Sequence, residues 1–293
     1  MSICFILNPI SGKRPLNRAS AEACIREHFS DAEIYWTQAP GLATVLATEA
    51  ARAKVDAVIA AGGDGTINET ARGLVGRQTP LGIIPRGSGN GFAREVGMQL
   101  DFQTAVKQLK SAAPRPCDAG YANGELFLNV AGVGLEAEVA WQFMQYGKSG
   151  MRGKWPYFSI AAQTILTYQP PQWTLEADGA QMTIAPLTLV LANGRQYGSS
   201  FKIAPQASLN DGLLDLVVVQ NVSKWKLALA LPGFFTDKKP PFGVTRMLRV
   251  RHVQLTQKEP FVYHIDGEPR QAEKTLEIVV KPRALNVLFP KEK

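Results

Sequence analysis

The chain has little of the chemistry that would anchor a protein by means other than burial. Only three cysteines occur, Cys4, Cys24 and Cys117. They are too few and too widely spaced for a disulfide framework or a zinc ribbon, which fits a reduced, cytosolic chain. Two of them sit in apolar patterns and read as small core residues rather than nucleophiles. The three histidines, His28, His252 and His264, are joined by no HxxxH or HExxH spacing, so zinc chemistry is unsupported. No apolar run approaches the roughly 20 residues that cross a bilayer. Met1-Ser2 leads straight into Ile3-Cys4-Phe5-Ile6-Leu7 without a basic n-region or cleavage site, which reads as a buried strand and not a signal peptide. A Walker A loop is missing, because no glycine loop is followed by Gly-Lys-Ser/Thr. So is a Gly-x-Ser-x-Gly elbow with a credible base. Internal repeats and low-complexity segments are absent too.

What is present is core material and positive charge. At 293 residues, two domains are expected, and a hydrophobic share of 45% is ample for two cores. The net charge of +7 favours anionic partners such as a nucleotide or an anionic lipid surface. With no zinc finger and no aromatic-rich RNA-binding signature, nucleic acid is not expected as a partner.

The stretch Val58-Ile59-Ala60-Ala61-Gly62-Gly63-Asp64-Gly65-Thr66-Ile67-Asn68-Glu69 organises the first part of the chain. An apolar, partly β-branched run stops at two glycines, and helical spacing begins at Thr66, so it reads as strand, tight turn and helix. Such a turn brings backbone N–H groups close to a ligand, and a helix N-terminus is a ready seat for phosphate. Around it, strand-like runs at residues 3–7, 32–36, 57–60 and 81–84 alternate with helical segments at 16–29, 42–53 and 102–110. That alternation predicts an α/β domain with a largely parallel sheet. Each of the four strands ends in a polar, glycine-containing segment: residues 8–13, 37–41, 62–69 and 85–94. Open α/β sheets bind ligands at that edge, so the four are expected to converge.

The texture changes near Ser111-Ala112-Ala113-Pro114-Arg115-Pro116. The expected domains are residues 1–114 (α/β) and 115–283 (β-rich), with 284–293 a strand returning toward the first. Beyond the change, strand-like runs dominate at residues 126–131, 173–177, 188–192, 213–219, 248–255, 261–265 and 276–280. Asn123-Gly124, Asp178-Gly179 and Asp211-Gly212 mark turns between them. Helices are expected at 135–145, 157–167 and 224–231. Mainly antiparallel strands of this kind predict a sandwich-like or barrel-like domain.

Several positions could carry chemistry. Asp64 suits a magnesium nucleotide, or it caps the following helix. Asn68 and Glu69 lie close behind it. Ser88, in Gly87-Ser88-Gly89-Asn90-Gly91, could bond a phosphate or cap a helix. Asp211-Gly212-Leu213-Leu214-Asp215 is either an Asp-Gly turn or a divalent-metal site built from a carboxylate and carbonyls. Ile265-Asp266-Gly267-Glu268 looks like a hairpin turn, yet a carboxylate base is also what a kinase acting on an alcohol needs. Residues 231–242 interleave aromatics with lysines, which suits either a membrane interface or a partly buried loop.

Taken in order, these motifs resemble the diacylglycerol kinase/sphingosine kinase superfamily, in its bacterial soluble YegS-like lipid kinase branch. The resemblance rests on Asn8-Pro9 with Ser11-Gly12, on Gly62-Gly63-Asp64-Gly65-Thr66 with Asn68-Glu69, on residues 85–94, on residues 210–215 and on Asp266-Gly267-Glu268. It implies ATP-dependent phosphorylation of a lipid hydroxyl, on diacylglycerol or a related glycerolipid or phosphatidylglycerol. It also implies a NAD kinase-like α/β nucleotide domain, a β-rich domain, and an active site in the cleft between them. By motif position, Asn8, Pro9, Ile10, Thr37, Gly63, Asp64, Gly65, Thr66, Ile67, Asn68, Glu69 and Ser88 would hold ATP. Asp211, with the carbonyls of Ser208 and Leu213, would hold Mg²⁺. Glu268 would accept the hydroxyl proton, with Asp266 as second candidate, and Asp118 and Lys154 would link the metal to the active site. The partners implied are a lipid substrate and a transient anionic membrane surface, with a homo-oligomer left open. Gly87-Ser88-Gly89-Asn90 departs from the Gly-Thr-x-Asn usual in bacterial diacylglycerol kinases and resembles sphingosine and ceramide kinases. The alternatives are therefore a sphingosine/ceramide-type kinase, a NAD kinase-like enzyme, which shares the glycine–aspartate turn, and a nucleotide sensor without turnover.

Overall fold

The computed structural model describes residues 2–12, 14–148, 163–198, 201–236 and 240–291. The chain forms two compact units: Met1–Ala119 with Pro282–Lys293, and Gly120–Lys281.

In the first unit, β1 (Ile3–Leu7), α1 (Arg18–His28), β2 (Glu33–Trp36), α2 (Leu42–Arg52), β3 (Ala57–Gly62), α3 (Asp64–Leu74) and β4 (Leu81–Pro85) alternate, followed by α4 (Gly91–Glu95) and α5 (Phe102–Leu109). The strands pair in parallel in the order β2-β1-β3-β4. β1, β3 and β4 are buried along their whole length, as continuous apolar runs covered on both faces should be. Helix α2 packs on α3, and α1 on α5. The strand order reverses direction at β1, so a crevice opens beyond the C-terminal ends of β1 and β3, where such sheets take their ligands. Two boundaries differ from the sequence reading. Strand β3 runs on through Gly62, and α3 begins at Asp64 rather than Thr66. The turn between them is thus shorter than expected, with Gly63 alone as the N-cap.

Strand β5 (Ala113–Ala122) runs through the proline-containing stretch and carries the chain from the first unit into the second. The second unit continues with β6 (Glu125–Phe127), β7 (Val130–Gly134), α6 (Leu135–Lys148), β8 (Trp173–Ala177), β9 (Ala180–Ile184), β10 (Thr188–Ala192), β11 (Leu214–Val219) and α7 (Lys224–Ala230). A 3-10 turn at Leu231–Phe235 precedes β12 (Thr245–Val250), β13 (His252–Thr256), β14 (Phe261–Ile265), β15 (Glu268–Ala272) and β16 (Thr275–Phe289). An antiparallel six-stranded sheet, β12-β11-β10-β7-β14-β15, faces a second antiparallel layer in which β13 pairs with β8 and with the start of β16. Alternation builds the sandwich. In β10, Leu189 and Leu191 join the core between the layers, with Trp173, Leu175, Val253 and Ile278. Val190 and Ala192 point the other way, into a cluster with Ala204, Ala230 and Phe234. Each large side chain so buried contributes about 1.5–3 kcal/mol. The end of β16 lies in the first unit, where Val287 pairs in parallel with Leu81.

The run expected at 248–255 is two strands, broken at Arg251. There the Asp178 carboxylate accepts the backbone N–H groups of Arg251 and His252, and the chain passes from one sheet to the other. Of the helix expected at 157–167, residues 163–167 are helical and the rest lies outside the described residues. Among the described residues, no helix is long and apolar enough to cross a membrane.

Candidate functional site

In the first unit the four segments after β1, β2, β3 and β4 line one cavity of about 560 Å³. Asn8, Pro9, Ile10, Ser11 and Gly12 come from the first, Thr37 to Pro40 from the second, Gly63, Gly65, Thr66 and Glu69 from the third, and Gly87 from the fourth. The Asn8 side chain spans the β1/β3 crevice, its Nδ2 donating to Thr66 Oγ1 at 3.0 Å while its Oδ1 accepts from the Ile10 N–H at 3.1 Å. Ile10 is 80% exposed, an apolar side chain standing free above the cavity. No side chain caps α3, so its first turn presents backbone N–H groups and the positive end of the helix dipole.

The third and fourth loops are fastened together. Asp64 Oδ2 accepts the Asn90 N–H at 3.0 Å, and Asn90 closes a reciprocal pair with Gly87, donating through Nδ2 to its carbonyl at 2.8 Å and accepting its N–H at 2.6 Å. Gly87 and Gly63 touch backbone to backbone: a Cβ on Gly87 would stand 2.9 Å from the Gly63 Cα. Arg86 ties the fourth loop to the first, its Nη2 donating to the Ser11 and Arg14 carbonyls at 3.1 and 2.9 Å. Asn90 and Arg86 were not singled out from the sequence. Asn90 adopts φ +51°, which Asn tolerates better than most residues.

Not every expected nucleotide residue reaches the cavity wall. Ile67 is fully buried, and Asn68 is buried with its Oδ1 accepting from Arg72 Nε at 2.8 Å. Asp64 braces the fourth loop rather than lining the cavity. Ser88 is exposed, next to the lining Gly87. Asp118 is fully buried and accepts the Arg283 N–H at 2.8 Å, while Lys154 lies outside the described residues.

In the second unit, Asp266 and Glu268 sit on the β14–β15 hairpin. Ile265 pairs with Glu268 across a two-residue turn in which Asp266 and Gly267 take φ +49° and +86°, the left-handed geometry such turns demand. The Asp266 carboxylate accepts backbone N–H groups from Leu128 (3.0 Å), Asn129 (2.9 Å) and Val130 (3.1 Å), which pins the hairpin tip to the start of β7. Glu268 is exposed and pairs with Arg270 at 3.2 Å, and the same guanidinium meets Glu125 at 3.2 Å. Below the turn, buried His264 accepts the Gly267 N–H at Nδ1 (3.4 Å), so Nε2 carries the proton and donates to Glu136 at 3.2 Å.

Asp211 ion-pairs with Arg249 and accepts the Leu213 N–H at 3.1 Å, and Ser208 donates to Asn210. Burial raises the nearby Asp215 carboxyl, with Arg249 pulling it back down. No group of three or more His, Cys, Asp or Glu residues that could hold a metal is found among the described residues. Burial pushes the Cys4 and Cys117 thiols up to about 12, so neither is a thiolate nucleophile near neutral pH.

Comparison with known proteins supplies the family. Residues 2–122 match the model of the diacylglycerol kinase catalytic domain, and residues 129–289 that of the YegS C-terminal NAD kinase beta sandwich-like domain. A diacylglycerol kinase of Bacillus subtilis (strain 168) is 30% identical, covering 98% of this chain and 96% of its own length. A probable lipid kinase YegS-like of Pseudomonas aeruginosa (strain UCBPP-PA14) is 31% identical over 97% and 94% of the two chains. The crystal structure of a putative diacylglycerol kinase from Bacillus anthracis str. Sterne shares the fold with a TM-score of 0.79 at 23% identity, over 98% of this chain and 96% of that one. The chain belongs to the YegS-like lipid kinase family, a diacylglycerol kinase catalytic domain followed by a YegS C-terminal domain.

Proposed function

We propose that this chain transfers the γ-phosphoryl group of ATP to the hydroxyl of a glycerolipid, with diacylglycerol first among the acceptors. The observation that carries it is the 560 Å³ cavity at the β1/β3 crevice, formed by four strand-end loops and the uncapped start of α3. Backbone N–H groups there suit the triphosphate. Exposed Ile10 suits the face of a base, and the Gly63–Gly87 contact leaves no room for side chains that would fill the cradle.

Phosphoryl transfer asks for positioning and charge neutralisation more than covalent help. Asn8, Pro9, Ile10, Thr37, Gly63, Gly65, Thr66 and Glu69 would contact the nucleotide, Ser88, exposed beside Gly87, would meet its phosphates, and Asp64 would brace the fourth loop through Asn90. Glu268 would take the hydroxyl proton. It suits that role better than Asp266, whose carboxylate is engaged by three backbone donors while that of Glu268 is exposed. Asp211 with the carbonyls of Ser208 and Leu213 is the hard oxygen set that Mg²⁺ takes. An ion there would share the Asp211 carboxylate with Arg249. When bound it supplies positive charge that orders this loop. The lipid acceptor implies transient contact with an anionic membrane surface and a cytoplasmic site of action.

The test is transfer from radiolabelled ATP to a panel of diacylglycerol, phosphatidylglycerol, sphingosine, ceramide and NAD. Label is expected in a glycerolipid, and Asp64→Ala and Glu268→Ala are each expected to abolish it without unfolding the chain at the assay temperature. Full activity in either folded variant removes that residue from the mechanism. Label in NAD alone overturns the lipid acceptor.

A further inference from the structure

Helix α7 is apolar on two opposite sides. Leu227 and Ala230 face inward to the cluster beneath the six-stranded sheet. Trp225 and Leu229, four residues apart and so on one face, point outward. The 3-10 turn that follows repeats the pattern, burying Phe234 against Phe201 with rings stacked at 5.0 Å and leaving Leu231 and Phe235 outside. A Cβ on Gly233 would lie 3.0 Å from Pro240, which brings the chain leading to Phe242 against this turn. Lys224 Nζ donates to the Leu166 carbonyl at 2.9 Å and brings that residue alongside. Leu166, Trp225, Leu229, Leu231, Phe235 and Phe242 are each between 49% and 66% exposed. Single exposed apolar residues are ordinary, but six on or beside one short helix and its following turn mark a contact surface.

Charge selects the partner. Among the described residues of 222–246, Lys224, Lys226 and Arg246 are cationic and none is a carboxylate. Trp225 has the amphipathic ring that settles at headgroup depth, and Lys226 lies 5.7 Å from its centroid. Apolar side chains within a cationic frame fit an anionic bilayer surface, into which the rings insert while the lysines meet lipid phosphates. We infer that α7 and the 3-10 turn after it form the face by which this protein docks on anionic membrane, with Trp225 and Leu229 as its apolar anchors. The inference deepens the lipid-kinase reading by naming where the enzyme meets its substrate's bilayer, and it rests on that reading only for the purpose of docking.

The test is co-sedimentation of the full chain with phosphatidylcholine vesicles, with and without phosphatidylglycerol, without turnover. Wild type is expected on the anionic vesicles and to be released by salt. The variant Trp225→Ala/Leu229→Ala is expected to lose about tenfold or more in partitioning. ATP binding by calorimetry should be unchanged. On vesicle-borne acceptor its kcat/KM should fall by a similar factor, and on a short-chain monomeric acceptor it should not. Unchanged partitioning of a folded double variant overturns the inference. So does a wild-type dimer, indifferent to vesicles, that the double variant splits by light scattering, because the face then joins two copies. Vesicle binding without phosphorylation of any lipid leaves the docking face standing and removes the kinase reading.

Discussion

At the scale of single residues, the two carboxylates of the β14–β15 hairpin sit in opposite environments. Asp266 is committed to backbone: three N–H donors from residues 128–130 converge on its oxygens. Removing it leaves those groups without their charged partner, so Asp266→Ala is expected to lose about 3 kcal/mol, read as a lower urea midpoint at unchanged slope. Glu268→Ala, at an exposed position, should keep the wild-type midpoint and lose phosphoryl transfer. If Asp266→Ala instead unfolds like wild type and is inactive, Asp266 is the base. His264 completes the picture. Its Nδ1 accepts from Gly267 and its Nε2 donates to Glu136, so the turn rests on a buried, oriented imidazole.

At the scale of elements, helix starts divide into capped and uncapped. Asp101 caps α5, accepting from the Thr104 N–H at 2.9 Å and the Thr104 hydroxyl at 2.7 Å. The backbone N–H first, then the hydroxyl, hold its carboxyl below the usual carboxylate range. A depressed folded value means stabilisation that is present above the unfolded pKa, about 4, and lost as pH falls through the folded one. Asp101→Ala is therefore expected to destabilise by about 1 kcal/mol near neutrality, with the gap to wild type closing in thermal melts below about pH 4. Helix α3, with no such cap, keeps its N-terminus open toward the cavity.

Elements also show what was legible in the sequence. The strands at 3–7, 173–177, 188–192 and 261–265 have the bounds read from the sequence, because burial gives each a compact apolar or alternating signature. Strand β9 left no such trace: four of its five residues are exposed and it pairs only at the sheet edge. Strand β16 was read as two pieces because Lys281, Pro282 and Arg283 interrupt its apolar pattern with exposed residues. The loops lining the cavity were legible because glycines punctuate strand ends. The bracing by Arg86 and Asn90 was not, since it depends on contacts between loops that only the folded sheet brings together. The same holds for Asp266, whose partners lie more than 130 residues away in sequence.

At the scale of the molecule, the chain crosses from the α/β unit to the sandwich along β5 and back along β16. The last strand seals the edge of the first sheet beside β4, with the Gly76 N–H donating to the Ala284 carbonyl at 2.8 Å. Completion of the first unit thus waits on residues that follow the whole sandwich in sequence. Division of labour follows the same line. The first unit holds the cavity proposed for the donor, and the second holds the carboxylate hairpin and the face proposed to dock on membrane. The central claim is that these serve one reaction, phosphorylation of a lipid hydroxyl. It is tested most directly by mass spectrometry of products after the purified protein is incubated with Mg²⁺ and ATP carrying heavy oxygen in its γ-phosphoryl group, together with a total lipid extract. A glycerolipid that gains one labelled phosphoryl group is the expected result. Label that reaches no lipid, passing to water or to NAD, would contradict it.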